Sequence, residues 1–186
     1  MEVFDIVDEL GSPTGETVVR EEAHLLGIRH RTSHVWLLRV KNGALQVLLQ
    51  KRSMKKDSFP GCYDISSAGH IPAGNTWVPS ALRELEEELG LKMEENDLHE
   101  AGIRSVFWQG EFGGKPFLDR EVSKVFYVWW DGEPEDLTFR DGEVEAALWM
   151  DMELCIRETR EGSLKNCIYP EELEMVLFSV KTENKP

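Results

Sequence analysis

The chain has 186 residues and a mass of 21.3 kDa, the size of a single domain. With 41% hydrophobic and 30% charged residues it can bury a core, which excludes an intrinsically disordered chain. Thirty-five acids against 21 bases give a net charge of −14, which argues against non-specific nucleic-acid binding, and no run approaches the roughly 18 apolar residues of a membrane span.

In chain order, Val3 to Val7 alternates apolar and polar residues and reads as a short strand, with Gly11 to Gly15 as turn chemistry. Val35–Val40 and Leu45–Gln50 flank Lys41-Asn42-Gly43-Ala44, and an Asn-Gly pair between two apolar runs predicts a hairpin. Asp64 to Ala68 reads as a strand ending at Gly69. Val78, Ala81, Leu82, Leu85 and Leu89 then fall at helical spacing. They predict a helix over about 76–89, with Asn75 or Thr76 as cap, Pro79 in the first turn and Gly90 just past the end. Ile103–Trp108 and Val122–Trp130 are rich in β-branched and aromatic residues and predict strands, as does Ala146–Met150. Two helices are expected near 151–161 and 170–181. The pattern is mixed α/β in one domain spanning 1–186.

Charge is unevenly spread. From Arg20 to Lys56 nine bases face two acids, net +7; Ala81–Glu100 is −6 and Asp131–Glu161 is −8. Such blocks are either solvated faces or a phosphate-attracting half opposite a cation-binding half, and charge alone does not choose. Cys62, Cys155 and Cys167 make no Cys-x-x-Cys spacing, and the first 20 residues hold five acids, one Arg and no apolar leader segment. Reduced thiols and a cytoplasmic location are the expectation.

On the central helix, Glu84, Glu87 and Glu88 lie at i, i+3 and i+4 and so share a face, taken here as turned away from the leucine stripe. Two carboxylates ~5 Å apart at an effective dielectric of ~20 repel by about 3 kcal/mol. A divalent cation relieves that repulsion, and clustered carboxylate oxygens suit Mg²⁺ or Mn²⁺. An acidic solvent face is the alternative.

Gly69 followed by Arg83-Glu84-Leu85-Glu86-Glu87-Glu88-Leu89-Gly90-Leu91 closely resembles the Nudix box, Gly-x5-Glu-x7-Arg-Glu-U-x-Glu-Glu-x-Gly-U with U apolar. Eight of nine specified positions match across residues 69–91, and Asn75 stands where the family has its first Glu. The resemblance implies an αβα sandwich with a mixed sheet and a metal-binding loop–helix–loop. It also implies a hydrolase that cleaves a diphosphate linked to another group through water attack on phosphorus. Glu84, Glu87 and Glu88 would then hold Mg²⁺ or Mn²⁺, Arg83 would orient them, and Gly69 and Gly90 would shape the ends of the motif. Glu143, before the last strand, is a candidate general base together with Glu87 and Glu88. Nudix proteins are often dimers, so a homodimer is possible, and the expected ligand is a small-molecule diphosphate.

The flanks resemble a narrower group, the Nudix proteins related to isopentenyl diphosphate isomerase. The cues are Arg20-x3-His24, His30 with Trp36 beyond it, Phe59-Pro60-Gly61, Ser66-Ser67-Ala68-Gly69-His70 and Glu121-Val122. That resemblance implies metal ligation by His24, His30 and His70 with Asp119 and Glu121, and a diphosphate contact from Arg20. Ala68 stands where the isomerase has its catalytic cysteine, and Cys62 lies too far away to substitute. Hydrolysis is therefore favoured, with isomerase-type proton transfer as one alternative and a non-catalytic diphosphate- or protein-binding module as another. Lys51, Arg52, Lys55 and Lys56 either solubilise the loop after the hairpin or bind phosphate. Trp108, Trp129 and Trp130 are expected in the core or a pocket wall, and Met150, Met152 and Met175 in the core.

Overall fold

Apolar alternation along the central strands builds a core on both faces of one sheet. The computed structural model describes residues 2–56, 58–139 and 142–183. The elements run β1 (Val3–Val7), β2 (Pro13–Val19), α1 (Arg20–Leu26), β3 (His30–Lys41), β4 (Ala44–Arg52), β5 (Tyr63–Asp64), β6 (Ser67–His70) and α2 (Trp77–Leu89). They continue with β7 (His99–Phe112), β8 (Lys115–Trp129), β9 (Val144–Asp151), α3 (Met152–Glu161) and α4 (Pro170–Glu183). β1 and β2 pair as a separate two-stranded sheet, and the other seven strands form one mixed sheet along the path β5-β4-β3-β8-β7. β3 and β8 are parallel, with Thr32 opposite Ser123 and Trp36 opposite Tyr127; the other pairings are antiparallel.

Successive strand side chains point to opposite faces. Trp36, Leu38, Val125 and Tyr127 pack in one buried cluster with Met152, Cys155, Leu173 and Val176 of α3 and α4. Val35, Leu37, Phe126 and Val128 pack in a second with Ala81, Leu85 and Leu89 of α2. Helices thus cover both faces, the expected αβα sandwich. Met152 is fully buried and Met150 and Met175 pack against the same cluster. Trp130 stacks on Trp149 beside the other, whereas Trp129 is 41% exposed.

Several elements exceed their sequence reading. The Asn42–Gly43 turn is present, with both residues at positive φ (55° and 78°), the geometry such a hairpin requires. β3, however, starts at His30 and is buried from His30 through Arg39. Its first five residues are polar or charged and carry no hydrophobic signal, yet β8 and β6 flank them. The expected turn at 11–15 is shorter, because β2 begins at Pro13. α1 was not expected from the pattern. The strand read at 64–68 is two short pieces, and Gly69 lies inside β6 instead of ending it. On α2, Thr76 takes the cap position without a side-chain bond, and Gly90 adopts the left-handed conformation just past the last turn. No helix among the described residues is long and apolar enough to cross a membrane.

Candidate active site

The site is built where β3 and β4 part. They pair only over Leu38–Lys41 and Ala44–Val47, and β6 and β5 fill the fork that opens beyond, β6 against Thr32–Val35 and β5 against Gln50–Lys51. Ser66 holds the fork open: its Oγ accepts from the Leu37 N–H (2.9 Å) and donates to the Leu48 carbonyl (2.6 Å), fully buried. One hydroxyl there replaces a rung of the ladder.

β6 separates two groups of acids and imidazoles. On one side, Ala68 donates its N–H to Glu88 Oε2 (3.1 Å). Gly69 lies so close to Glu84 that a Cβ there would overlap the carboxyl group, so the glycine lets α2 press its acids onto the strand. Arg83 Nη2 donates to Glu84 Oε1 (2.5 Å) and to the His70 carbonyl (3.3 Å), with Nε 4.0 Å from Glu87. The three carboxylates do not form the acidic solvent face that helical spacing left as the alternative: Glu87 is exposed, Glu84 half-buried and Glu88 buried against β6. Leu82, placed in the apolar stripe, lies outside the core cluster that Ala81, Leu85 and Leu89 join. Burial pushes the Glu84 carboxyl up to about 7, partly opposed by Arg83, and the Glu88 carboxyl up to about 8, with Glu84 adding repulsion.

On the other side of β6, His24 of α1, His30 of β3 and His70 present nitrogens that lie within 4.8 Å of one another; His30, Asp119 and Glu121 form a second such group. His30 Nδ1 lies 2.8 Å from the Ile28 carbonyl; donation there leaves the Nε2 lone pair facing its neighbours. Burial lowers the pKa of both His30 and His70, favouring the neutral, ligating form. Burial also raises Glu121, helped by Asp119. Four buried atoms here, His24 Nε2, His30 Nε2, His70 Nε2 and Asp119 Oδ1, have no hydrogen-bond partner among the described residues. Native structures seldom leave so many polar atoms orphaned in one place. The donor set therefore fits a divalent cation, with imidazoles suiting a transition metal and the Glu84/Glu87/Glu88 oxygens suiting Mg²⁺ or Mn²⁺. Phe4 stacks on His30 and His70 (4.9 and 4.8 Å between ring centroids) and Phe117 on His24 (4.5 Å), an apolar jacket that sequence reading did not identify.

A cavity of roughly 1,470 Å³ joins the two groups, lined by nine carboxylates and five Lys or Arg side chains. Arg20, Arg52, Lys55 and Lys56 are among them. Arg52 is anchored to Asp64 (2.8 Å) and to Ser58. Glu143 also reaches the cavity and pairs with Lys56. Lys51 does not line it: strand alternation turns Lys51 away from its neighbour Arg52, to within 3.6 Å of Glu145. Most of the basic segment is likewise spent elsewhere, Arg29 on Glu9, Arg31 on Asp5, and Arg39 and Lys41 on Glu133. Asn75 is exposed and lies outside the cavity lining. Phe59, Trp108 and Phe117 supply an aromatic wall, with Trp108 5.0 Å from Phe59. Ala68 lines the cavity as well, whereas Cys62 is buried outside the lining.

His34 and Glu172 also escaped the sequence reading. Glu172, at the third position of α4 and 1% exposed, accepts from His34 Nδ1 (3.0 Å), Trp36 Nε1 (2.9 Å) and Arg104 Nη1 (2.7 Å). Burial opposes charge on both partners, but the pair overrides it: His34 is lifted to about 9 and Glu172, held also by Arg104, falls to about 2. The residues are 138 apart in sequence, and neither lies in a recognisable motif.

The NUDIX domain family model matches residues 29–171, and the chain belongs to the Nudix family. An Arabidopsis thaliana protein, Nudix hydrolase 3, is 52% identical over 92 residues, covering 50% of this chain and 12% of that protein. An uncharacterised Nudix hydrolase of Clostridium acetobutylicum is 34% identical over 143 residues, covering 77% of this chain and 66% of its own length. One from Listeria monocytogenes is 31% identical over 153 residues, 82% of each. This chain thus spans only part of the first two relatives. Among solved structures, a Deinococcus radiodurans protein superposes with a TM-score of 0.67 at 18% identity, covering 93% of this chain and 98% of that one, a likeness of fold.

Proposed function

We propose that this chain is a divalent-metal-dependent hydrolase of a diphosphate linked to another group. The observation that carries the reading is the pairing, in one cavity, of the Glu84/Glu87/Glu88 face with Arg20, Arg52, Lys55 and Lys56. Nine carboxylates against five bases repel a diphosphate unless cations accompany it, and the half-buried Glu84 and buried Glu88 are costly to ionise unless a cation is near. Glu84, Glu87 and Glu88 would hold Mg²⁺ or Mn²⁺, and His24, His30, His70, Asp119 and Glu121 a second cation. Such ions supply neutralisation of the diphosphate and acidification of water.

The protein's own groups divide the remaining work. Arg52, fixed by Asp64 and Ser58, offers a pre-positioned guanidinium to a phosphate oxygen, and Arg20, Lys55 and Lys56 add charge around it. Arg83 keeps Glu84 turned toward the cavity. Glu88, with one oxygen committed to the Ala68 N–H, would hold charge, and Glu87 and Glu143, open to solvent, would take the proton from attacking water. Glu87→Gln and Glu88→Gln, each assayed with Mg²⁺ saturating, should lower kcat by about 100-fold or more, the scale of losing one strong electrostatic contribution. Unchanged turnover in both variants would overturn the assignment.

The histidine–carboxylate group favours a second reading, isopentenyl diphosphate isomerase-like proton transfer. Ala68, which cannot move a proton, weighs against it. Deuterium uptake from D₂O without phosphate release would support that reading over hydrolysis.

A further inference from the structure

Glu121 has two oxygens in different surroundings. Oε1 faces the histidine group, 3.8 Å from His70 Nε2. Oε2 is turned the other way, into a small polar nest: Thr32 Oγ1 at 3.3 Å, Ser123 Oγ at 3.5 Å and His34 Nε2 at 4.0 Å. Thr32 and Ser123 also bond each other (2.8 Å), and Thr32 Oγ1 lies 3.4 Å from His34 Nε2, so the nest closes on itself. Behind it, the Glu172 carboxylate receives His34 Nδ1, which decides that Nε2 is the nitrogen pointing at Glu121. Trp36 and Arg104 hold Glu172 in turn.

We infer that His34, clamped by Glu172, is a positioning residue for Glu121, fixing Oε2 so that Oε1 faces His70. The inference rests on the proposed reading of His24, His30, His70, Asp119 and Glu121 as a cation centre. Groups behind the ligands commonly set ligand orientation, and their loss costs about 10–100-fold in metal affinity. The arrangement also makes α4 part of the site: its third residue orients a carboxylate on β8 through one imidazole.

Two amide replacements separate positioning from simple support of the ion pair. An Asn at 34 places its nitrogen near the position of Nδ1, keeping Glu172 partnered but leaving nothing toward Glu121. A Gln reaches the position of Nε2. The full metal-free chain would be titrated with Co²⁺ in excess Mg²⁺, so that the oxygen-only donors are filled, and read by visible absorption and calorimetry alongside a thermal melt. His34→Asn should weaken Co²⁺ by about 10–100-fold, with His34→Gln recovering most of the affinity. Ser123→Ala, which removes a hydroxyl from the same oxygen without touching the ion pair, should weaken Co²⁺ in the same direction and carries the test if His34→Asn does not fold. Wild-type affinity in His34→Asn, or in Ser123→Ala where His34→Asn does not fold, would overturn the positioning role, as would equal loss in His34→Asn and His34→Gln. A wild-type chain that shows no histidine-type Co²⁺ spectrum would instead overturn the cation centre itself, and the inference with it.

Discussion

Glu88 concentrates the chemistry of the site in one side chain. Burial lifts its pKa from 4.5 to about 8, so the folded chain holds this proton more tightly than the unfolded chain does. The stabilisation is complete below about pH 4.5 and is lost as pH rises through about 8. One proton of difference corresponds to about 1.4 kcal/mol per pH unit. Glu88→Gln removes that titration while keeping an oxygen for the Ala68 N–H. Without metal, wild type should therefore lose stability relative to Glu88→Gln between about pH 5 and 8, and saturating Mg²⁺ should shrink the gap. Denaturant unfolding across that range would show it, and two curves that stay parallel with pH would contradict it. The acids of α2 were legible in the sequence because they are close together. Burial of Glu88 was not, since helical spacing ranks a Glu as surface and only the fork in the sheet places a backbone donor beneath it.

Among the elements, the β3–β4 fork determines whether there is a site at all. Ser66 satisfies a buried N–H on one strand and a buried carbonyl on the other. Ser66→Ala would orphan both, a loss of about 1–3 kcal/mol. Chemical unfolding should show that destabilisation together with weaker Mg²⁺ binding, and an unchanged midpoint would mean that the strands part without the hydroxyl. Strand identity was readable wherever a strand is apolar, as in Val35–Val40 and Leu45–Gln50. It failed over His30–His34, where His30, Thr32 and His34 are buried against Asp119, Glu121 and Glu172, and Arg31, on the other face of the strand, is buried against Asp5. α1 was missed because its seven residues give too short a periodic signal, although its His24 was singled out.

For the whole molecule, the charge asymmetry seen in the sequence survives only in part. Of the bases between Arg20 and Lys56, four reach the cavity, and the others that form ion pairs do so with acids elsewhere, Lys51 among them. A charge block in a sequence does not say which face each side chain takes; strand alternation decides that residue by residue. The His34–Glu172 pair shows the complementary limit, since α4 contributes to the site through a contact that spans most of the chain. What the fold brings together is an acid face, a cationic rim, a histidine–carboxylate group and an aromatic wall around one cavity. The activity proposed for this cavity is hydrolysis of a diphosphate at phosphorus. It is tested most directly by incubating the metal-free protein, with and without Mg²⁺, with a panel of diphosphate compounds in ¹⁸O-labelled water and following products by mass spectrometry. Mg²⁺-dependent cleavage with ¹⁸O in a phosphate product is the expected result. Cleavage that places ¹⁸O only in the non-phosphate product, or no Mg²⁺-dependent cleavage across the panel, would contradict it.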